Sequence, residues 1–295
     1  KLQAGAYAGS PVGPACMCAF AMYDLANVSI IGYDVVSNRP KVAAYRAPGA
    51  PIASFAVESC VDELAHQLKI DPIQLREKNA AKEGTKAAYG PTFKDIGYVE
   101  TLTAAKQHPH YQTKLGPNQG RGVASGFWFN IGGESSASIY VNEDGTVVLA
   151  TGSPDIGGSR ASMAMMAAEV LQIPLEKVRP IVADTSSVGY TFLTGGSRVT
   201  FATGMAVCQA AEETIKDLKR RAAKIWEIAE DAVDWENGCA VPAGANAGKF
   251  PPLPLSEIAL KAAKTGGPIG GKAQINAQGA GAGFATPICA VEVDP

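Results

Sequence analysis

The sequence predicts a mixed α+β chain built in two parts, and three observations carry that reading. Strand-like runs and helical periodicities are interspersed with hairpins rather than in strict βαβ alternation, which favours α+β over a doubly wound sheet. A polar stretch from His108-Pro109-His110 to Asn118-Gln119 separates two regions of unlike pattern, which places the break near 115 and makes 1–115 and 116–295 the two lobes. The length, 295 residues, suits two domains of about 150 residues and a substantial core.

Composition narrows the function classes. At 46% hydrophobic and 18% charged the chain is globular rather than disordered. Lys plus Arg 26 against Asp plus Glu 28 leaves a net charge of −2, without the basic stripe that nucleic-acid binding needs. The longest apolar run, Ala15 to Met22, falls short of the ~20 residues of a membrane helix. The cysteines at 16, 18, 60, 208, 239 and 289 form no CxxC and are too sparse for a disulfide scaffold. That points to a reduced, cytoplasmic protein, with Cys60 and Cys208 buried in helices. No signal-peptide pattern follows Lys1, and the strand-like end Ile288–Val293, stopping at Asp294-Pro295, reads as an excised chain.

The elements follow in order. Residues up to about Lys41 read as strands and loops, with the β-branched run Val28-Ser29-Ile30-Ile31. The prolines of Ala44-Tyr45-Arg46-Ala47-Pro48-Gly49-Ala50-Pro51 fix a non-repetitive loop. Ile52, Phe55, Ala56, Cys60, Leu64 and Leu68 then recur at helical spacing, opposite Glu58, Asp62 and Glu63, which predicts an apolar inner face and an acidic outer one. Asp71 caps the next helix, with Pro72 at its first position and Gln74 placed for a capping box. Past the linker, Asn142-Glu143-Asp144-Gly145 turns a hairpin between Ser136–Val141 and Thr146–Leu149. A glycine loop, Thr151 to Ser159, opens a helix that ends at Pro174, and Val178–Val182 is a strand. A long helix from about Gly204 carries Val207, Ala211, Leu218, Ala222, Ile225 and Ala229 on one face. Gly266 to Lys272 fits G-x-x-x-x-G-K, but Ala273 stands where a phosphate loop needs Ser or Thr, helix precedes it and loop follows, so nucleotide hydrolysis is rejected. His108 and His110 lack partners at zinc-ligand spacing.

Ala44–Pro51, Ser153–Arg160 and Thr194–Arg198 each place glycine before a helix with an arginine near by. Free amides at a helix start and a guanidinium fork suit a flat, phosphorylated, anionic ligand. Each loop alone is more often an ordinary helix-start turn.

Taken with Ala56-Val57-Glu58 and Ile70 to Asn79, the run Ala44–Pro51 resembles the molybdenum-binding large subunit of the xanthine dehydrogenase/aldehyde oxidase/CO dehydrogenase family. Gly120–Ala124, Asp155–Gly158, Ala168–Leu171, Ala183-Asp184-Thr185, Gly196-Ser197-Arg198 and Gly204-Met205-Ala206 continue the resemblance in the same order over nearly the whole chain. It implies two molybdopterin-binding lobes and a molybdenum–pyranopterin cofactor in cytosine dinucleotide or mononucleotide form. It further implies oxidation of an aldehyde or N-heteroaromatic substrate with water-derived oxygen. Electrons would leave through the pterin to iron–sulfur clusters, with the clusters and FAD on partner domains or subunits. Residue by residue, it implies that Arg46 and Ala47 line the cofactor near the metal. Ile156, Gly157 and Gly158 would offer backbone amides, Gly195, Gly196, Ser197 and Arg198 would close the other side, and Phe127, Trp128 and Phe129 would sandwich the substrate. The chain departs from the family in having Gly158 for glutamine and Ser159 for glycine. Ala47 replaces the cysteine of CO dehydrogenases, which argues against CO as substrate. The family's phenylalanine–glycine loop is expected upstream of Lys1 and its catalytic glutamate downstream of Pro295, so no catalytic residue is assigned and the chain alone is expected to be inactive. A cofactor-free scaffold homologue is the alternative.

Overall fold

The computed structural model describes residues 11–182, 184–278 and 281–295. Ala183 of the run quoted above lies outside them. In chain order the helices are α1 (Val12–Cys18), α2 (Ala50–Leu68), α3 (Pro72–Asn79), α4 (Tyr98–Gln107), α5 (Pro109–Gln112), α6 (Ser159–Leu171), α7 (Gly204–Trp226), α8 (Leu255–Leu260) and α9 (Ala262–Thr265). The strands are β1 (Gln119–Val123), β2 (Gly126–Phe129), β3 (Gly133–Val141), β4 (Val147–Thr151), β5 (Val178–Val182), β6 (Val233–Glu236), β7 (Cys239–Pro242), β8 (Leu253–Pro254), β9 (Ile269–Ala277), β10 (Ala282–Ala285) and β11 (Ile288–Glu292). The mixture is α+β, as the sequence predicts.

The chain forms two compact units, one ending at Phe129 but regaining Gly281–Pro295, the other running from Asn130 to Ala280. This partition differs from a single cut at 115. The cause is strand pairing: β11 runs antiparallel to β1, and β10 to β2, so the last strands return to the first unit. The stretch read as a polar linker contains α5, with His108 Nδ1 accepting from the His110 amide at 3.1 Å.

In the first unit α2 is turned over relative to its apolar stripe. Phe55 is 78% exposed and Leu68 52%, whereas Glu58 is 3% exposed. Cys60 is likewise exposed rather than buried. The inversion follows from what faces the helix. Arg76 of α3 donates from Nε to Glu58 Oε2 at 2.8 Å, and its Nη1 lies 2.9 Å from Asp62 Oδ1. Tyr23 donates its hydroxyl to Glu58 Oε1, and the Ser125 amide donates to Glu58 Oε2 at 2.5 Å. A buried carboxylate needs such partners, and these outweigh the stripe. The cap of α3 is as read: Asp71 Oδ1 accepts from the Gln74 amide at 2.9 Å. Its other oxygen accepts from Tyr111 at 2.6 Å.

The second unit is built on a four-stranded sheet of order β5-β4-β3-β9, with β4 and β5 parallel across α6 and the other pairs antiparallel. Helices α6 and α7 cover the sheet, burying Ile139, Leu149, Met163, Leu171, Val207 and Leu218 in one core. A three-stranded sheet, β6-β7-β8, completes the unit. The long helix ends at Trp226, before Ala229. Residues after Gly271 continue a strand, not the expected loop, so the G-x-x-x-x-G-K match runs from helix into strand, the reverse of a phosphate loop. Gly271 serves packing instead: a Cβ there would stand 2.3 Å from the Ala210 carbonyl oxygen of α7. No helix among the described residues is long and apolar enough to cross a membrane.

Candidate functional site

The glycine loop of the second unit leaves the sheet at the end of β4. Ser153 is buried, and Asp155 reaches α6, its Oδ1 accepting from the Arg160 amide at 3.0 Å. Asp155 thus serves the first turn of α6 from the loop, with Arg160 Nε 3.5 Å from its other oxygen. Gly157 and Gly158 then take φ of +69° and +87°, a left-handed pair that side chains disfavour. A Cβ on either would meet nothing within 4 Å. Their amides donate to no acceptor among the described residues. The Ile156 amide turns back to Ser159 Oγ at 3.4 Å, and the Ile156 side chain is exposed. Of the three amides expected to face a ligand, those of Gly157 and Gly158 are the open ones.

The second loop, Thr194–Arg198, follows a different design. Gly196 and Ser197 both have positive φ, and the Gly196 carbonyl accepts from the Ile131 amide at 2.9 Å. Gly196 has no room for a side chain, since a Cβ would lie 2.6 Å from Ile131 Cγ1. The Gly196 and Ser197 amides, like those of Gly157 and Gly158, have no acceptor among the described residues. Arg198 is fully buried, and its fork points inward rather than out toward a ligand. Nε donates to Gly132 O at 2.8 Å, Nη1 to Phe192 O at 2.9 Å, and Nη2 to Glu134 O and Ser135 Oγ, each at 2.6 Å. The guanidinium is spent on tying the loop to β3. No carboxylate pairs with it among the described residues. Burial lowers its pKa from the ordinary value, and the charges of Glu134 and Tyr190 oppose that only in part. The chain buries a cation and bonds it to dipoles, with no carboxylate in contact among the described residues and only partial compensation from the charge of Glu134.

After Arg198 the chain makes a π-helical turn, Val199–Thr203, that runs into α7. Thr203, fully buried, lies 2.8 Å from Ser153 Oγ and 3.3 Å from Ser135 Oγ. The loops at 153–158 and 194–198 are therefore joined beneath by one hydroxyl. Ser135, Ser153 and Thr203 escape sequence reasoning because isolated hydroxyls carry no spacing signal; the π-turn is equally silent.

The remaining predicted residues belong to the first unit. Gly49 starts α2 at φ +80°, and a Cβ there would lie 2.4 Å from Pro11 O, so α1 holds this loop. Ala47 adopts φ +54°, and its carbonyl accepts from the Ala50 amide. Arg46 is exposed, and its side chain forms no hydrogen bond or ion pair among the described residues. Phe127, at 4% exposure, packs its ring in an aromatic core, 5.3 Å from Phe284, 5.8 Å from Tyr89 and 5.9 Å from Phe93. Trp128 and Phe129 stack on each other at 4.4 Å and are half-buried.

Comparison with known proteins supplies the family. Two models described as molybdopterin cofactor-binding domain match residues 2–80 and 92–295. The chain is 35% identical over 159 residues to an aldehyde oxidoreductase molybdenum-binding subunit of Escherichia coli, covering 50% of this chain and 21% of that protein. It is 26% identical over 251 residues to the nicotine 6-hydroxylase large subunit of Paenarthrobacter nicotinovorans, covering 76% of this chain and 30% of that one. Among solved structures it resembles quinoline 2-oxidoreductase from Pseudomonas putida 86 with a TM-score of 0.77 at 21% identity, over 98% of this chain and 42% of that chain. A Cu,Mo-CO dehydrogenase gives a TM-score of 0.79 at 20% identity, over 95% and 39%. The chain thus spans less than half the length of these relatives. It belongs to the molybdopterin cofactor-binding family of xanthine dehydrogenase/aldehyde oxidase-type molybdenum enzymes.

Proposed function

We propose that the chain forms walls of a molybdenum–pyranopterin site in a hydroxylase of aldehydes or N-heteroaromatic compounds. The observation that supports this most is the buried Arg198, which lacks a carboxylate, in the same unit as the unpartnered amides of Gly157, Gly158, Gly196 and Ser197. Amide donors with a buried cation that charges offset only in part suit an anionic group such as a pterin phosphate. The fit is also steric, since the space where a Cβ of Gly157 or Gly158 would stand is open.

The cofactor, when bound, supplies two-electron oxidation of a substrate carbon with oxygen from water. This chain's residues hold it. Gly157 and Gly158 donate backbone amides, the Gly195–Ser197 backbone forms a second wall, and Arg198 contributes charge through space while its side chain fixes that wall. Arg46 and Ala47 stand near the metal in this reading, with Arg46 exposed and available. Trp128 and Phe129 remain for substrate contact. Acid–base work falls to a group outside these residues, because Glu58 is bonded to Arg76, Tyr23 and Ser125, and Asp155 serves the first turn of α6. Iron–sulfur and flavin partners, a cytoplasmic setting and a cytosine dinucleotide or mononucleotide cofactor belong to the same reading. The aldehyde and N-heteroaromatic choice is supported by relatives named for aldehyde, nicotine and quinoline oxidation.

The test is molybdenum and pterin analysis with dye reduction over an aldehyde and heteroaromatic panel, on this chain and on the complete enzyme. Turnover is expected only from the complete, molybdenum-loaded enzyme. Turnover by the isolated chain, or a loaded enzyme inert to the whole panel, overturns the reading.

A further inference from the structure

We propose that Thr203 is a positioning residue that sets the two glycine loops of the second unit in one register, through the hydrogen-bond chain Arg198–Ser135–Thr203–Ser153; the ligand those loops serve rests on the function proposed above. Arginine only donates, so Ser135 Oγ must accept from Nη2 at 2.6 Å. The proton of Ser135 is then free for Thr203 Oγ1 at 3.3 Å, and that of Thr203 for Ser153 Oγ at 2.8 Å. The cation fixes the direction of the chain, and each bond polarises the next. Ser135, Ser153 and Thr203 are all at least nine-tenths buried, so water does not compete for these hydroxyls.

The topology gives the chain its consequence. Ser153 begins the segment that ends in the open amides of Gly157 and Gly158, whereas Arg198 ends the segment that carries those of Gly196 and Ser197. Within this hydroxyl chain Thr203 is the member bonded both to Ser153 of the first loop and to Ser135, which carries Arg198. It sits at the end of the π-helical turn, where an extra residue in the turn re-aims side chains relative to an ordinary helix. Ser136 adds a separate tie, its hydroxyl lying 3.4 Å from Thr191 Oγ1, which holds the middle of the connecting loop to β3 without reaching Ser153.

The experiment compares Thr203→Val, which keeps shape and removes the hydroxyl, with Thr203→Ser, which keeps the hydroxyl, in the complete enzyme. Backbone hydrogen exchange is read over 152–158 and 194–198 in cofactor-stripped protein, and molybdenum loss is followed during gel filtration of loaded protein. Thr203→Val should raise exchange in both segments together and speed molybdenum loss roughly tenfold, a factor that corresponds to ~1.4 kcal/mol. Thr203→Ser should restore both. Ser153→Ala serves if the valine variant does not fold, and should loosen 152–158 while leaving 194–198 unchanged. Exchange in Thr203→Val equal to wild type, or confined to one segment, overturns the coupling. Faster exchange in both segments with no change in molybdenum loss upholds the coupling and overturns the function on which its ligand rests.

Discussion

Each unit of the molecule buries an arginine completely, and the two are solved in opposite ways. In the first unit Arg76 meets the Glu58 and Asp62 carboxylates, so the charge is closed within the fold. Burial works against its cation, but Glu58, through charge and hydrogen bond, more than offsets that and holds Arg76 above its ordinary pKa. In the second unit Arg198 meets carbonyls and one hydroxyl, and its pKa falls. The same residue type at the same burial thus marks architecture in one place and unfinished electrostatics in the other. An invariant statement such as "buried arginine" carries no function; the partners do.

The largest effect should come from opening the closed centre. Glu58→Ala leaves Arg76 buried without its main counter-charge and should cost about 3–5 kcal/mol in urea unfolding of the first unit. A loss under ~1 kcal/mol would mean that Asp62 and water neutralise Arg76 unaided, and the contrast with Arg198 would disappear. Alkali probes the same centre. Burial, with help from Glu58, pushes the Tyr98 hydroxyl up to about 12 against a smaller lowering by its hydrogen bond to Ser125, and drives Tyr23 up in the same direction. A pKa raised in the folded state gives stability that is whole below the unfolded value near ~10 and is lost as pH rises through the folded value. Tyrosinate absorbance should therefore show these two groups titrating late, with unfolding of the first unit setting in between roughly pH 10 and 12. Normal titration of all tyrosines would show the network to be open to water.

Arg198→Met should be milder for stability, about 1–3 kcal/mol, because it strips donors from carbonyls but removes a charge that nothing in the unit pairs. Its effect on molybdenum retention should exceed its effect on unfolding, whereas Glu58→Ala should show the reverse order. Gly158→Ala should be smallest for stability, about 1 kcal/mol for a left-handed alanine with no clash. Equal molybdenum retention in Gly158→Ala and wild type would remove that glycine from the site.

Much of the fold was legible in the sequence because local chemistry announced it. The Asp71-Pro72 start of α3, the Asn142–Gly145 turn and the long period of α7 are written in adjacent residues. The orientation of α2 was not, because the apolar stripe Ile52-Phe55-Leu64-Leu68 is a local signal, whereas the reason for its inversion lies in Arg76, Tyr23 and Ser125. The return of β10 and β11 to the first unit was hidden likewise, since strand pairing over so long a separation leaves no periodic mark. At the candidate site the glycine loops could be found from glycine placed before a helix. The inward turn of Arg198 could not, because an arginine that serves ligand and one that serves carbonyls are spelled alike.

The measurement that bears most directly on this account is residue-resolved hydrogen exchange of the complete enzyme with its cofactor bound and after the cofactor is stripped. Bound cofactor should slow exchange at Gly157, Gly158, Gly196 and Ser197 and leave the amides around Glu58 and Arg76 unchanged. Equal exchange with and without cofactor at those four amides would contradict the account.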